Sequence, residues 1–246
     1  MNALPVAPIA ADPATAFRSV ARSHVGRVRS INEDRVFDCP EAGIWAVADG
    51  MGGHRGGDLA AQAVVERLRA LTASRRVADF TDMLVALGQA NADIRHRNDT
   101  NGFDAGTTVV AALIDGATAH IAWAGDSRAY RIRDGGLQLL THDHSLVQEL
   151  IDAGLLTPAA AERHPQSNVV TRALGICDDP GLQMTSAPLA PGDRLLLCSD
   201  GLSRSFQPDD AVDGDTEQLC DRLLGNALRR DGTDNVSLVV VEIADR

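Results

Sequence analysis

Residues 43–50 read Gly-Ile-Trp-Ala-Val-Ala-Asp-Gly, an apolar run that ends abruptly in a carboxylate and a glycine. A short continuous apolar run bounded by a turn signal predicts a buried β-strand. The strand would end at Ala48 and place Asp49 at the rim of a sheet, where Gly50 has no Cβ and lets the backbone approach an ion closely. A single Asp-Gly pair after a strand is more often only a turn, so this stretch indicates a site only if the pattern recurs.

The pattern does recur at the edges of other apolar runs. Asp126, Asp200 and Asp234 each lie at such an edge, and Glu33 and Asp34 precede another. Carboxylates gathered in one cleft would raise one another's pKa and destabilise the fold, unless cations neutralise them. A ligand set made of oxygen atoms, with no cysteine and no histidine pair, favours Mg²⁺ or Mn²⁺ over Zn²⁺.

Composition excludes several classes of function. The 246 residues carry a formal net charge of −11, which argues against binding of nucleic acid or an anionic membrane as the main task. All 23 basic residues are arginine, so neither a Walker lysine nor a Schiff-base lysine is available. The four cysteines are scattered without a Cys-x-x-Cys pair, which predicts a reducing, cytoplasmic environment. No stretch of the sequence has the length and apolarity of a membrane span.

Periodicity predicts an α+β fold. Helical spacing of apolar residues begins at Asp58, taken as an N-cap, and again after Thr81 and at Asp215. A first strand is expected over residues 17–28, and the buried strand pairs with Val36-Phe37 in a hairpin. Further strands are expected over 106–114, 118–124, 127–132, 137–140, 194–198 and 236–243. The four strands from 106 to 140 are joined by short turns and must be antiparallel. Two stacked antiparallel β-sheets flanked by helix pairs, in four layers α-β-β-α, account for this grouping.

The domain organisation predicted from the sequence is simple. Residues 1–16 are rich in Ala and Pro and are expected to be a disordered arm. Residues 17–246 contain no linker and no internal repeat, which predicts one domain. Within it, residues 145–172 combine short helices with loop-like sequence and are expected to form a flap over the site.

Arg29 supplies a candidate phosphate ligand five residues before Asp34. A guanidinium group can bind phosphate oxygens in bidentate fashion. Alone, Arg29 would be interpreted as a surface residue, but together with the acidic residues it completes a phosphate site. Two divalent ions at roughly 3.5–4 Å can activate a water molecule for in-line attack on phosphorus.

The order of the motifs resembles one family over residues 19–243. The motifs are Gly26-x-x-Arg29-x-x-Asn32-Glu33-Asp34, Val47-Ala-Asp-Gly-Met-Gly-Gly-His54, Gly106-Thr107-Thr108, Gly125-Asp126-Ser127-Arg128, Thr141-His-Asp-His-Ser145, Cys198-Ser-Asp-Gly-Leu202 and Asp234-Asn235. They resemble the metal-dependent protein phosphatases of the protein phosphatase 2C (PPM) type, in their compact bacterial form. The resemblance implies a β-sandwich flanked by helices with a dinuclear Mn²⁺/Mg²⁺ site at one edge.

The resemblance also implies roles for the acidic residues. Asp49 would bridge the two ions, and the carbonyl group of Gly50 would ligate one of them. Asp200 and Asp234 would hold the other ion. Asp126 would form a weaker third-ion site with Asp200.

The same resemblance assigns the remaining positions. Glu33 and Asp34 would act on the ions directly or through bound water, and Arg29 would bind the substrate phosphate. Asn235 would not contact an ion itself but would orient the carboxylate of Asp234.

Two positions depart from the family pattern. Met51 stands where eukaryotic members commonly have a histidine that is proposed as the general acid, and His54 is a candidate for that role or else orders its loop. Ser203-Arg204 replaces a segment in which many relatives carry an acidic residue. The histidines of the Thr141–Ser145 motif are interpreted as bracing the base of the flap rather than as a catalytic triad or a metal site.

The leading hypothesis is a cytoplasmic, monomeric phosphatase that hydrolyses phosphoserine and phosphothreonine in proteins and opposes a cognate Ser/Thr kinase. The alternative is a catalytically silent module of the same fold that binds phosphoproteins, and it predicts lost metal ligands. A phosphatase specialised for anti-sigma antagonist proteins often lacks the arginine found here as Arg29. A metal-dependent nuclease fits the acidic residues but should have a basic groove.

Overall fold

The protein, analysed as a computed structural model, is described for residues 17–52, 56–73, 77–211 and 214–244. The arm expected over residues 1–16 lies outside this range. The strands are β1 (Phe17–His24), β2 (Arg35–Cys39), β3 (Ile44–Ala48), β4 (Gly50–Met51), β5 (Gly106–Thr107), β6 (Val109–Asp115), β7 (Thr118–Ala124), β8 (Arg128–Arg133), β9 (Gly136–Leu139), β10 (Gln183–Pro188), β11 (Arg194–Cys198) and β12 (Val236–Ile243). The helices are α1 (Gly57–Thr72), α2 (Phe80–Asn101), α3 (Leu146–Asp152), α4 (Pro158–Ala161), α5 (Asp200–Ser203) and α6 (Thr216–Arg230).

Ten of the strands form two five-stranded sheets. The first sheet has the order β1-β12-β11-β8-β9 and the second has the order β10-β7-β6-β3-β2. Every neighbouring pair within them is antiparallel. The short strands β4 and β5 pair separately. The predicted pair of antiparallel sheets is therefore confirmed.

Strand β3 is buried on both faces. Trp45 and Val47 pack between the two sheets, whereas Ile44, Ala46 and Ala48 pack against α1 and α2. Successive side chains of a strand point to opposite faces, so a strand covered on both sides has no position for a polar residue. This is why the sequence of β3 is a continuous apolar run.

The outer layers are helical. Helices α1 and α2 share a core with the second sheet, and α6 packs with α5 on the outer face of the first sheet. The predicted order of layers, α-β-β-α, is confirmed. Within the described residues, no helix is long and apolar enough to cross a membrane.

The N-termini of α1 and α2 have features that the sequence did not predict. Asp58 is not the N-cap of α1, because Gly56 occupies that position with a φ of 109° and the helix begins at Gly57. Helix α2 has a reciprocal capping box between Asp79 and Asp82, which satisfies two backbone donors at its first turn. The first strand is also shorter than predicted and ends at His24.

The four strands from 106 to 140 do not lie in one sheet. Strands β6 and β7 form a hairpin in the second sheet, whereas β8 and β9 form a hairpin in the first. Residues 125–127 carry the chain from one sheet to the other. Gly125 has a φ of +113°, and a Cβ there would lie 2.5 Å from the Cβ of Thr108, so only glycine fits this crossing. The crossing leaves Asp126 at the shared edge of the sandwich.

Candidate active site

The acidic residues converge because of the direction of their strands. Strands β3 and β7 run in the same direction in the second sheet, so Asp49 and Asp126 follow their ends at one edge. Strand β11 is antiparallel to β12. Asp200, which follows the end of β11, therefore lies beside Asp234, which precedes the start of β12. These ends surround a cleft of about 280 Å³. Its lining residues are Arg29, Glu33, Asp49, Gly50, Met51, Gly52, Thr108, Asp126, Asn168, Val170, Asp200, Arg204, Asp234 and Asn235.

Asp49 and Gly50 are held by the backbone around them. The carbonyl oxygen of Asp49 accepts hydrogen bonds from the backbone N–H of Thr108 (2.8 Å) and the Oγ1 hydroxyl of Thr107 (3.0 Å). A Cβ on Gly50 would lie 2.2 Å from the carbonyl oxygen of Gly57. Glycine at position 50 therefore allows the start of α1 to approach the end of β3.

Asn235 joins the two sheets behind the cleft. Its Oδ1 accepts a hydrogen bond from the backbone N–H of Glu33 (2.8 Å), and its Nδ2 donates to the carbonyl groups of Val25 (2.9 Å) and Ile31 (3.0 Å). Its own backbone N–H donates to Oδ1 of Asp234 at 2.8 Å. The side chain therefore fixes the loop before β2 relative to the carboxylate before β12.

Asp34 lies beneath the cleft rather than in its lining. Only 2% of its surface is exposed, and its Oδ2 accepts a hydrogen bond from Oγ of Ser199 at 2.9 Å. Its Oδ1 is also buried and has no hydrogen-bond partner within the described part of the chain. Burial, opposed in part by hydrogen bonds from Ser237 and Ser199, raises the pKa of Asp34 to about 7.

The clustered carboxylates raise one another's pKa. Burial and then the charges of Asp34, Asp200, Asp126 and Asp234 raise the pKa of Asp49 well above its usual value. Burial, with Asp200 as the next cause, raises the pKa of Asp126 to about 7. Burial also raises the pKa of Asp200, although Arg204 opposes that rise. Perturbed carboxyl groups of this kind in a cleft are typical of a functional site.

Two guanidinium groups contact this acidic cluster. Nη2 of Arg29 lies 2.8 Å from Oδ2 of Asp234, and 53% of the Arg29 side chain is exposed. Nη2 of Arg204 lies 2.6 Å from Oδ2 of Asp200 and 3.9 Å from Oδ2 of Asp126. Arg29 thus lies where a phosphate ligand was predicted, whereas no role was predicted for Arg204.

The segment predicted to be a flap, residues 145–172, is joined at its base to the crossing between the sheets. The backbone N–H of His144 donates to the carbonyl oxygen of Gly125 (2.9 Å), and its carbonyl oxygen accepts from Thr171 (2.8 Å). From this base the flap reaches the cleft, which Asn168 and Val170 line. His144 is buried and stacks on Trp123, at the base of the segment that is predicted to be a flap.

The structure brings together all the predicted site residues that it describes except Asp34, which lies just below the others. His54 lies outside the described residues. The roles of Arg204 and of Thr107 and Thr108, whose motif was recognised, were not predicted from the sequence. The signal for Arg204 was its spacing of four residues from Asp200, which places the two side chains together on one helical turn.

The sequence comparison decides the family. The family model described as Protein phosphatase 2C matches residues 22–232. The chain belongs to the protein phosphatase 2C family. Serine/threonine protein phosphatase PstP of Mycobacterium tuberculosis is 39% identical over 238 residues, which are 93% of this chain and 45% of that protein. The chain thus spans about half the length of PstP.

Two further comparisons cover almost the whole of the matched chain. Serine/threonine phosphatase stp of Listeria welshimeri is 33% identical over 90% of this chain and 94% of its own. The crystal structure of the PstP catalytic domain with two manganese ions has a TM-score of 0.85 and 34% identity, and covers 94% of this chain and 100% of that one. The protein phosphatase 2C fold is therefore shown by sequence and by structure.

The chemistry of the cleft fits hard divalent cations. Its candidate ligands are all oxygen atoms, which Mg²⁺ and Mn²⁺ prefer, and the partnerless Oδ1 of buried Asp34 is an acceptor without a donor. Among the described residues, no three Asp, Glu, His or Cys side chains form a complete metal site by themselves. Sites that include a backbone carbonyl group and water need fewer side chains for each ion, and Gly50 offers such a carbonyl group.

Proposed function

We propose that this protein is a metal-dependent phosphatase that hydrolyses phosphoserine and phosphothreonine in proteins. The observation that carries the proposal is the convergence of carboxylates from separate strand ends in one cleft beside Arg29. Membership of the protein phosphatase 2C family agrees with it. A silent binding module would lack some of these acidic residues, and all the predicted ones are present in the sequence.

The cleft would hold two Mn²⁺ or Mg²⁺ ions. Asp49 would hold both ions, with the carbonyl group of Gly50 beside one of them and Asp200 and Asp234 beside the other. Glu33 and Asp34 would act directly or through water. The mutual elevation of the carboxyl pKa values supports this assignment, because bound cations would relieve the repulsion.

The two ions, when bound, would supply positive charge for the phosphate oxygens and lower the pKa of a water molecule. Arg29 would exchange its ion pair with Asp234 for the substrate phosphate, which its half-exposed side chain allows. The P–O bond to the serine or threonine oxygen breaks as the water oxygen bonds to phosphorus, and the products are inorganic phosphate and the free hydroxyl group.

The leaving oxygen needs a proton. Met51 lines the cleft directly after Gly50 and has no proton to donate. We therefore keep His54 as the candidate general acid, as predicted from the sequence. If His54 has this role, its replacement by Gln should slow hydrolysis of a substrate with a poor leaving group more than that of one with a good leaving group.

A third, weaker ion between Asp126 and Asp200 is the remaining part of the predicted metal content. It would have to share these two carboxylates with Arg204. The core proposal needs only the two ions.

The proposed setting follows from the substrate class. Phosphorylated proteins would be the partners, with a Ser/Thr kinase supplying them, and the chain would act as a monomer. We infer one domain over residues 17–246, supported by the core shared between the sheets, with a flap at 145–172. The free state of all four cysteines agrees with a cytoplasmic location.

Phosphate release from a phosphothreonine peptide tests the proposal. The assay is run with Mn²⁺, with Mg²⁺ and with EDTA. Release with a metal and none with EDTA is the expected result. No release with either metal from folded protein would overturn the proposal in favour of the silent module.

A further inference from the structure

We propose that Arg204 is a built-in cation that takes the place of a third metal ion, so that the cleft binds two divalent ions and excludes another. This inference rests on the proposed function and specifies the metal content of the same site. It contradicts the weaker third ion that the sequence led us to expect between Asp126 and Asp200.

The geometry places the guanidinium group between these two carboxylates. Nη2 of Arg204 lies 2.6 Å from Oδ2 of Asp200 and 3.9 Å from Oδ2 of Asp126. Arg204 is the only cationic side chain in the described part of the chain within 4.0 Å of Asp126. The positive charge that a third ion would bring to this pair is therefore already supplied by the chain.

Local structure fixes the guanidinium group in this position. Asp200 is the first residue of α5 and Arg204 is its C-cap, and the backbone N–H of Arg204 donates to the carbonyl oxygen of Asp200 at 3.0 Å. Residues four apart on a helical turn lie on one face. The turn that presents the carboxylate to the cleft also presents the arginine.

The contact is stronger than an ordinary surface ion pair. The side chains of Asp126 and Asp200 are only 9% and 14% exposed, and that of Arg204 is 35% exposed. Exposed pairs are screened by water and contribute little, whereas a pair that is mostly shielded from water keeps its attraction. Because Arg does not lose its proton in proteins, the guanidinium group keeps its positive charge at every working pH.

A divalent ion cannot share this position with the guanidinium group. An ion bound by both carboxylates would lie within a few ångströms of Arg204, and like charges at that distance repel strongly in a partly buried cleft. Displacing Arg204 would leave its charge without a carboxylate partner. The cleft is therefore expected to reach its full cation content with two ions.

A cleft with Arg204 in place of a third ion should also respond differently to metal concentration. A guanidinium group carries positive charge but cannot lower the pKa of a bound water molecule as a metal ion does. Arg204 would act as a positioning residue that holds Asp126 and Asp200, and its contribution would not depend on the metal concentration. Activity should then rise with Mn²⁺ in a single transition.

The test is the number of Mn²⁺ ions bound at equilibrium, measured by dialysis and elemental analysis on the full chain. The free Mn²⁺ concentration is raised far beyond that which saturates the first two ions. The wild type is expected to bind two ions. Arg204→Ala and the longer Arg204→Gln are each expected to bind three, because the carboxylate pair loses its cation.

Two controls isolate the cause. Arg95→Ala also removes one positive charge, from an ion pair between Arg95 on α2 and Asp178. Neither residue lines the cleft, so this variant should bind two ions. The double variant Arg204→Ala/Asp126→Asn should return from three ions to two. Thermal melting of each variant shows that the counted protein is folded.

Each result decides the matter. Three ions in the wild type, or two in both folded Arg204 variants, would overturn the inference while leaving the proposed function intact. A wild type that binds no Mn²⁺ would overturn the proposed function and this inference with it.

Discussion

Arg29 carries the only predicted substrate contact, and its role can be separated from that of the metal ligands. Arg29→Ala should lower kcat/KM for a phosphothreonine peptide by about 10- to 100-fold, because hydrogen bonds to charged groups contribute about 1.5–3 kcal/mol. Steady-state kinetics with saturating Mn²⁺ measures the change. Arg27→Ala, which removes an exposed arginine from the same loop, is the matched control. Unchanged KM and kcat in Arg29→Ala would remove this residue from the site.

Asn235 shows how much one buried amide group can organise. Asn235→Ala would leave the backbone N–H of Glu33 and the carbonyl groups of Val25 and Ile31 without their partner. The free energy of unfolding should fall by about 1–3 kcal/mol, and Mn²⁺ affinity by about 10- to 100-fold because a ligand-orienting contact is lost. Urea unfolding and calorimetric titration measure the two quantities. Wild-type Mn²⁺ affinity in the folded variant would show that Asn235 does not orient the site.

At the scale of elements, the close approach of α5 to the start of β12 is the contact most sensitive to volume. A Cβ at Gly201 would lie 2.0 Å from the carbonyl oxygen of Asn235. A Cβ at Gly88, on the exposed face of α2, would instead have open space around it. Gly201→Ala should destabilise the protein by about 1–3 kcal/mol through overpacking and weaken Mn²⁺ binding by moving Asp200 and Asp234 apart.

Gly88→Ala is the matched control for that substitution. It should stabilise the protein by about 0.4–1 kcal/mol, since alanine restricts the unfolded chain and suits a helix interior. Denaturant unfolding of both variants measures the difference. Equal stability of the two variants would contradict the packing described for α5.

The elements also show what the sequence could and could not predict. Strand β3 and the hairpin with Asp115-Gly116 followed from apolar runs and turn residues, because both signals are local. The crossing at Gly125 did not, since a short Gly-containing link is compatible with a turn within one sheet or a passage to another. The start of α1 was missed because Gly56 is placed by its packing against Ala105 and Phe103 rather than by a capping side chain.

The same distinction holds for the site. The carboxylates were predictable because each lies at the end of a recognisable strand. Arg204 was not assigned a role because α5 has only four residues and no apolar periodicity. The flap residues Asn168 and Val170 were missed because only the fold brings their loop to the cleft.

At the scale of the whole molecule, the carboxylate cluster should determine how stability depends on pH without metal. The pKa values of Asp34 and Asp126 are raised to about 7, and burial also raises those of Asp49 and Asp200. Between about pH 4 and pH 7 the folded state therefore binds more protons than the unfolded state, and the free energy of unfolding falls as pH rises. Burial lowers the pKa of His144, which makes the free energy of unfolding rise with pH below about pH 6.5. This is one group against the four carboxyl groups, so the decrease should dominate.

Thermal melting in EDTA from pH 5 to pH 8 measures this dependence. The melting temperature of the metal-free protein should decrease across that range, and saturating Mn²⁺ should reduce the decrease because cations stabilise the ionised carboxylates. A melting temperature in EDTA that rises with pH would contradict the cluster of repelling acids.

The most direct test of the central claim is phosphate release by the wild type and by Asp49→Asn under identical conditions. The wild type should release phosphate from a phosphothreonine peptide with Mn²⁺, stop after EDTA and resume when Mn²⁺ is restored. Asp49→Asn removes a charged ligand and relieves repulsion, so it should remain folded, melt at or above the wild-type temperature in EDTA, and lose activity by more than about 100-fold. Wild-type rates in folded Asp49→Asn, or release that persists in EDTA, would contradict the claim that strand-end carboxylates build a metal centre for phosphate hydrolysis.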